Sequence, residues 1–237
     1  MNRIQAIFGT SHVLLPVVHP VGWDEALASI AIARDAGVKG VFLINQGMGT
    51  DEVLRLVLAV RARDPALWVG VNLLGHAPAD ALGRALDGCE GRIDGIWSDN
   101  AEIDEHAPTQ ARAQALVDAR RERGWNGLYF GGVAFKYQRE VAPGDLGRAA
   151  VAALRHVDVV CTSGPGTGKA ADVDKVRAMR DAVVPDAAIA LASGVTAENV
   201  TTYLPYVDAF LVGTGIERAL GELDATKVAA LQQRVSG

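Results

Sequence analysis

Aromatic residues, cysteines and long apolar runs are all scarce in this sequence, and each scarcity excludes a class of protein. Aromatic residues make up only 5% of the 237 residues, whereas Ala, Val, Leu and Gly dominate. This composition suits a parallel sheet covered by helices better than a β-sandwich. The two cysteines, Cys89 and Cys161, are isolated and lack the spacing of metal ligands, so we expect reduced, buried thiols. No apolar run approaches the length of a membrane span and the first residues lack the layout of a signal peptide, so we expect a cytoplasmic protein.

Basic charge is also in short supply. The formal net charge is −5 and no stripe of lysine and arginine stands out, which argues against a nucleic-acid partner. By contrast, 49% of the residues are hydrophobic, and a chain of this length can bury them in one sizeable core. No linker or low-complexity stretch interrupts the chain, so we expect residues 1–237 to form a single domain.

Segments with the character of strands and of helices alternate along the whole chain. Amphipathic stretches with helical periodicity fill the gaps between short apolar runs. The predicted strands are 13–19, 40–45, 67–74, 93–98, 127–136, 157–161, 188–191 and 208–212. Eight strands, each followed by a helix, predict a closed (βα)8 TIM barrel of the phosphate-binding type. An open doubly wound sheet is the competing architecture, which eight regular units of similar length disfavour.

Polar residues follow every predicted strand, where the catalytic groups of a TIM barrel lie. His19 directly continues the first strand and fits a general base, a metal ligand or a hydrogen-bonded core residue. Asp99 is the best-placed carboxylate for proton transfer or metal binding. These two residues and Lys136 are the predicted catalytic groups. We expect a further set to bind the ligand: Asn45, Asn72, Ser163, Thr167 and Lys169. No His, Asp and Glu set has strong metal spacing, so neither a metal nor a cofactor is predicted.

Lys136 has three open interpretations. It could be a Schiff-base nucleophile, the partner of Asp99 or of a substrate anion, or a solvated loop lysine. The predicted fifth strand runs through Gly131 and Gly132, where missing side chains permit a bend or bulge. We expect the ammonium group to enter the barrel mouth within reach of Asp99 or a bound anion.

Glycine-rich loops follow the last three predicted strands. The loop SGPGTGK (163–169) is not a P-loop, because only three residues separate Gly164 from Gly168 and Ala170 stands where a Ser or Thr must bind Mg²⁺. A flexible anion-binding loop and a plain Gly/Pro-rich turn both remain open for it. The other two loops are read as opening helices, so that free backbone N–H groups form the usual phosphate pocket of the barrel. The predicted phosphate-binding residues are Ser193, Gly194, Val195, Gly213, Thr214 and Gly215; each glycine alone fits a mere turn equally well.

The stretch 157–217 resembles the BtpA/SgcQ-like family of TIM barrels. LLPVVHP, GVKGVFLIN, GVNLL and VAFKYQ extend this resemblance to most of the chain. It implies the barrel fold but no particular reaction. The chain departs from the family pattern at Tyr137, where a histidine is usual, and at Glu217, where a lysine is common. These departures favour a divergent branch with a different ligand.

Together these features predict a protein that binds a small phosphorylated molecule, either a sugar phosphate or a nucleotide. We expect an enzyme of lyase, isomerase or glycosyl-transfer type. The alternative is a non-catalytic ligand-binding, assembly or regulatory protein that kept the barrel and its phosphate site. A pure interaction scaffold, a third class, would have no phosphate affinity at all. A homo-oligomer is left open.

Overall fold

The computed structural model describes residues 1–237 and shows a closed barrel of eight parallel strands. The strands are β1 (Val13–Val18), β2 (Gly40–Ile44), β3 (Trp68–Asn72), β4 (Gly95–Ser98), β5 (Leu128–Gly132), β6 (Val159–Ser163), β7 (Ala188–Ala192) and β8 (Ala209–Val212). Each strand pairs with the next, and β8 closes the ring by pairing with β1 from Val13 to Pro16. The predicted TIM barrel is confirmed, and no open edge is left in its sheet.

Helices separate the strands and cover the outside of the barrel. They are α1 (Arg3–Phe8), α2 (Trp23–Asp35), α3 (Thr50–Arg63), α4 (Pro78–Gly88), α5 (Ala111–Glu122), α6 (Leu146–Ala153), α7 (Val173–Ala182), α8 (Val200–Tyr203) and α9 (Ala225–Ser236). Helix α1 was not predicted. Asn2 and Gln5 cap it reciprocally, and it buries Phe8 against Trp68 at the amino end of the barrel. None of the helices combines the length and the apolar character that a membrane span requires.

Three segments differ from the predicted elements. The fifth strand ends at Gly132 rather than Lys136, because Ala134 takes a left-handed backbone conformation with φ 48°. Only the four-residue helix α8 follows β7. A 3-10 turn (Thr214–Ile216) and an antiparallel hairpin of β9 (Glu217–Ala219) and β10 (Glu222–Leu223) lie between β8 and α9.

The inside of the barrel is packed asymmetrically. On the side of β2 to β5, the rings of Phe42, Trp68, Trp97 and Phe130 contact one another edge to face, with centroids 5.2 to 6.1 Å apart. On the opposite side most interior residues of β6 to β8 are small, namely Cys161, Ala188, Ala190, Ala192 and Ala209 beside Val159 and Leu211. The aromatic rings inside the barrel are thus concentrated in one half of its core.

Glycines on two strands make room for these rings. A Cβ atom added at Gly70 would lie 2.4 Å from the ring of Phe42, and one added at Gly95 would lie 2.4 Å from the ring of Trp68. Trp68 is buried among other rings and cannot move aside without disturbing them. The aromatic half of the core therefore depends on glycine at these strand positions.

We predict that Gly95→Ala destabilises the barrel by about 1–3 kcal/mol, because the new methyl group overpacks a rigid aromatic cluster. Urea denaturation followed by tryptophan fluorescence measures the loss. Gly144→Ala is the matched control, since an added Cβ there meets nothing within 4 Å. Equal stability of the two variants would contradict the packing argument.

Candidate active site at the barrel mouth

A cavity of about 370 Å³ lies at the carboxyl end of the strands and is lined by His19, Asp99 and Lys136. The side chains of a strand alternate between its two faces, so residues two apart share a face. His19 and Asp99 each come two residues after an interior residue, Val17 and Trp97 respectively. Regular alternation therefore brings both polar groups inward, above an apolar floor. The floor of the cavity consists of Val17, Ile44, Trp97 and Leu211.

His19 is buried and oriented by a carboxylate. Its Nδ1 lies 2.7 Å from Oε1 of Glu217, and the side chains of both residues are almost fully buried. Its Nε2 has no hydrogen-bond partner in the protein and is not among the buried unpaired polar atoms, so it is open to the cavity. A Cβ atom at Gly213 would lie 2.6 Å from Cε1 of the imidazole, so the ring needs glycine at this position.

Asp99 faces the same cavity from β4. Asn72 donates a hydrogen bond from Nδ2 to Oδ1 of Asp99 at 3.0 Å. Burial raises the pKa of the Asp99 carboxyl, and the hydrogen bond from Asn72 and the positive charge of Lys136 oppose that rise only in part. The carboxyl group therefore stays protonated up to a higher pH than an exposed aspartate does.

Lys136 reaches the mouth by an irregular loop and not at the end of the predicted strand 127–136. The backbone takes left-handed conformations at Ala134 and Tyr137, on both sides of it. Its backbone N–H donates to Oγ of Ser163 at 2.8 Å. Its Nζ donates to Oγ of Ser193 at 2.7 Å and to Oγ1 of Thr167 at 3.3 Å. The ammonium group thus joins the loops after β5, β6 and β7 at the edge of the cavity.

The predicted ligand-binding residues fall into two groups. Thr167 lines the cavity, and Asn72 supports Asp99. The amide of Asn45 is occupied by the backbone N–H and C=O of Leu74, so Asn45 joins two loops and Gln46 lines the cavity in its place.

The other two predicted ligand-binding residues also lie off the cavity. The hydroxyl of Ser163 donates to the carbonyl of Gly164 and accepts from the N–H of Lys136. Lys169 is exposed and does not line the cavity. The geometry therefore gives Asn45, Ser163 and Lys169 no direct contact with a molecule in the mouth.

The loop after β7 does not open a helix at Gly194 as predicted, and the loop after β8 opens only the 3-10 turn Thr214–Ile216. Asn199 accepts a hydrogen bond from the N–H of Thr196 and helix α8 begins only at Val200, so the N–H groups before it are not part of a helix end. The backbone N–H groups of Gly194, Val195 and Gly213 nevertheless donate to no group of the protein. Of these three residues only Gly213 lines the mouth, and Val195 is fully buried.

A second cleft, of about 550 Å³, lies beside the mouth. Gly194, Thr214 and Gly215 line it together with Lys227 and Glu198. Thr214 also lines the mouth, so the two cavities share a wall. The loops predicted to bind phosphate therefore border the space that contains His19 and Asp99, although Glu198 adds a negative charge to the cleft.

Trp97 and Glu217 are among the residues that line or support the mouth but were missing from the predicted site. Trp97 forms part of its floor, and strand alternation alone points to it because it precedes Asp99 by two residues. Glu217 holds His19 from 198 positions further along the chain. No local pattern in the sequence joins those two residues.

The chain belongs to the BtpA family, whose sequence model matches residues 23–237. This match confirms the resemblance that the sequence motifs indicated. Comparison with curated proteins finds none that matches the chain.

Several solved structures are similar to this barrel. Tryptophan synthase subunit alpha from Legionella pneumophila has a TM-score of 0.68 at 12% identity, over 99% of this chain and 98% of that chain. Phosphoribosyl anthranilate isomerase from Thermus thermophilus has a TM-score of 0.64 at 16% identity, over 94% and 97% respectively. For 3-keto-L-gulonate-6-phosphate decarboxylase from Vibrio cholerae the TM-score is 0.63 at 14% identity, over 95% and 98%. At such identities the likeness shows the fold alone.

We predict that Asp99→Asn makes the protein more stable than wild type at about pH 7 and that this gain shrinks at about pH 4. Burial, the largest influence, raises the folded-state pKa of Asp99 above its unfolded value. The stability that this group contributes is therefore fully present below the unfolded pKa and is lost as the pH rises through the folded pKa. Urea denaturation of both proteins at the two pH values measures the difference.

Asp87→Asn is the matched control with the opposite sign. Hydrogen bonds from Arg123 hold the pKa of the exposed Asp87 carboxyl below its usual value. The stability that Asp87 contributes is present above its unfolded pKa and is lost as the pH falls. Its replacement should therefore lower stability slightly at neutral pH. A loss of stability in Asp99→Asn at neutral pH would show that its hydrogen bond and its attraction to Lys136 outweigh burial.

Proposed function

We propose that this chain is an enzyme that transfers protons on a small phosphorylated molecule bound in the barrel mouth. The ligand class is a sugar phosphate or a nucleotide, and the chemistry is of lyase, isomerase or glycosyl-transfer type. One observation carries the proposal: an imidazole held by a carboxylate, a desolvated carboxyl group and an ammonium group surround a single cavity. Each group alone is common in proteins, whereas three of them around one space at the carboxyl end of a barrel are typical of a catalytic site.

The environments of the two acid–base groups favour different roles. With Nδ1 of His19 facing Glu217, the neutral ring offers the lone pair of Nε2 to the cavity, and this suits a base. Burial raises the pKa of Asp99, and a carboxyl group that holds its proton more tightly suits a general acid. Lys136 would then stabilise an anionic oxygen of the ligand, or form a Schiff base where the ligand has a carbonyl group.

Phosphate recognition has separate support. The unpaired N–H groups of Gly194, Val195 and Gly213 lie in the loops after β7 and β8, which form the usual phosphate site of these barrels. Lys136 and Lys227 add positive charge on the two sides of Thr214. Two proteins of similar fold are named for phosphorylated compounds, a phosphoribosyl anthranilate and a 3-keto-L-gulonate 6-phosphate. These observations favour a phosphorylated ligand over an uncharged one.

The open mouth argues against the non-catalytic alternative. A barrel that had lost its reaction would be free to fill this space with apolar side chains or with its own loops. Here the mouth keeps about 370 Å³, and its rim is polar at Gln46, Thr167 and Ser193 as well as at the three proposed catalytic residues.

We predict that ribose 5-phosphate binds the wild-type protein and that Lys136→Ala weakens this binding roughly tenfold or more, since a charge-assisted hydrogen bond is lost. Isothermal titration calorimetry measures the affinity. Lys169→Ala is the matched control, because this lysine lies in the loop after β6, at the same end of the barrel, but outside the cavity. Its affinity should stay within about twofold of wild type. The proposal of a phosphate ligand fails if neither ribose 5-phosphate nor inorganic phosphate binds.

We further predict that the protein catalyses deuterium exchange at the carbon next to the carbonyl of an accepted sugar phosphate. Proton NMR in D₂O, run on a panel of aldose and ketose phosphates, detects the exchange. His19→Gln and Asp99→Asn should abolish it while leaving phosphate affinity largely intact, because each removes a proton-transfer group without removing a positive charge. Binding without exchange across the whole panel would favour the ligand-binding alternative.

A further inference from the structure

We propose that Glu217 is the positioning residue of the site: it fixes the imidazole of His19 so that Nε2 faces the cavity as a proton acceptor. The inference rests on the proposed function, because a positioned base needs a reaction to serve. It deepens that function by assigning the orientation of the base to a residue that does not itself line the cavity.

Two hydrogen bonds to the same oxygen fix the orientation of the Glu217 carboxylate. Oε1 faces Nδ1 of His19 at 2.7 Å and accepts a second hydrogen bond from the N–H of Gly221 at 3.2 Å. The side chain of Glu217 is only 5% exposed and that of His19 only 10%. Both donors meet the same oxygen, so the oxygen cannot turn away from the imidazole without giving up the N–H of Gly221.

The hairpin that carries Glu217 is anchored from two sides. Ser29 on α2 donates from Oγ to the carbonyl of Gly221 at 2.9 Å and accepts from the N–H of Leu223 at 3.1 Å. Lys227 on α9 donates from Nζ to the carbonyl of Glu217 at 2.7 Å. Gly221 itself lies in a left-handed turn, with φ 81°. The carboxylate therefore stands on a rigid support, as accurate positioning requires.

This geometry determines which nitrogen of His19 carries the proton. A carboxylate oxygen only accepts, so Nδ1 must be the protonated nitrogen of the neutral ring. Nε2 is then left with its lone pair, on the side open to the cavity. Without the carboxylate, neither the tautomer nor the rotation of the ring would be specified.

A purely structural role of Glu217 predicts a different protonation of the imidazole. An ion pair that only ties β1 to the hairpin would be formed by a doubly protonated imidazolium, whose Nε2 also carries a proton and offers no lone pair to the cavity. The protonation state of the two ring nitrogens therefore separates positioning from mere attachment.

Long-range ¹⁵N NMR of histidine-labelled protein at about pH 8, where a free imidazole is neutral, reads this state directly. The His19→Gln variant assigns the signals of His19 among the five histidines. In wild type we expect Nδ1 to be protonated and Nε2 to be unprotonated. Glu217→Gln should keep this tautomer, because the N–H of Gly221 holds the amide oxygen in the place of Oε1. Glu217→Leu should lose it, with a large part of the population protonated at Nε2.

Protonation of Nε2 in the wild type overturns the inference, and so does an unchanged tautomer in a folded Glu217→Leu. Should Glu217→Leu not fold, the wild type and Glu217→Gln still decide, since both must show the Nδ1–H tautomer. In the deuterium-exchange assay, Glu217→Gln should retain most of the activity that Glu217→Leu loses. Failure of the protein to bind any sugar phosphate would remove the proposed function while leaving the tautomer result intact, so the two failures are distinguishable.

Discussion

The alternation of side chains along closed, parallel strands is the constraint on which this structure depends. Because β8 pairs with β1, every strand has a defined inner face, and two-residue spacing carries that face beyond the strand end. Two positions after the interior residues Val17, Trp97 and Leu211 come three residues that line the mouth, His19, Asp99 and Gly213. The packing of the core and the chemistry of the mouth are consecutive layers of one pattern, so a shift of register would disrupt both together.

This constraint explains what could be predicted from the sequence. The eight strands are regular and apolar, so the barrel and the inward positions of His19 and Asp99 follow from periodicity. Lys136 could not be derived in that way, because β5 stops at Gly132 and two left-handed residues carry the chain onward. Lys175 on α7 supports this loop by donating to the carbonyls of Ala134 and Ser163, and burial lowers its pKa. Such contacts join distant segments and have no local signature.

The glycines near the mouth show a second limit of sequence patterns. They were interpreted as phosphate-binding positions, yet each is also required by packing. A Cβ atom at Gly194 would lie 2.2 Å from the backbone of Lys169, and one at Gly215 would lie 2.1 Å from the carbonyl of Val195. Glycine permits close approach of any backbone or ligand, so its presence cannot tell which of the two requires it. The unpaired N–H groups of the same loops are the more specific observation, and only coordinates reveal them.

Backbone strain is concentrated at the same end of the barrel. Of the five residues other than glycine with positive φ, Glu102, Ala134, Tyr137 and Ser193 lie in loops at the carboxyl ends of strands. Each costs on the order of 1–2 kcal/mol, which the surrounding structure has to offset. At Ser193 the strained residue presents its hydroxyl to the ammonium group of Lys136 at 2.7 Å. Strain that serves no purpose would be relieved by a glycine or by a looser loop. Its persistence here, beside the carboxylate-held imidazole and the desolvated aspartate, fits a mouth whose polar groups are arranged before any ligand arrives, so that binding itself need not order them.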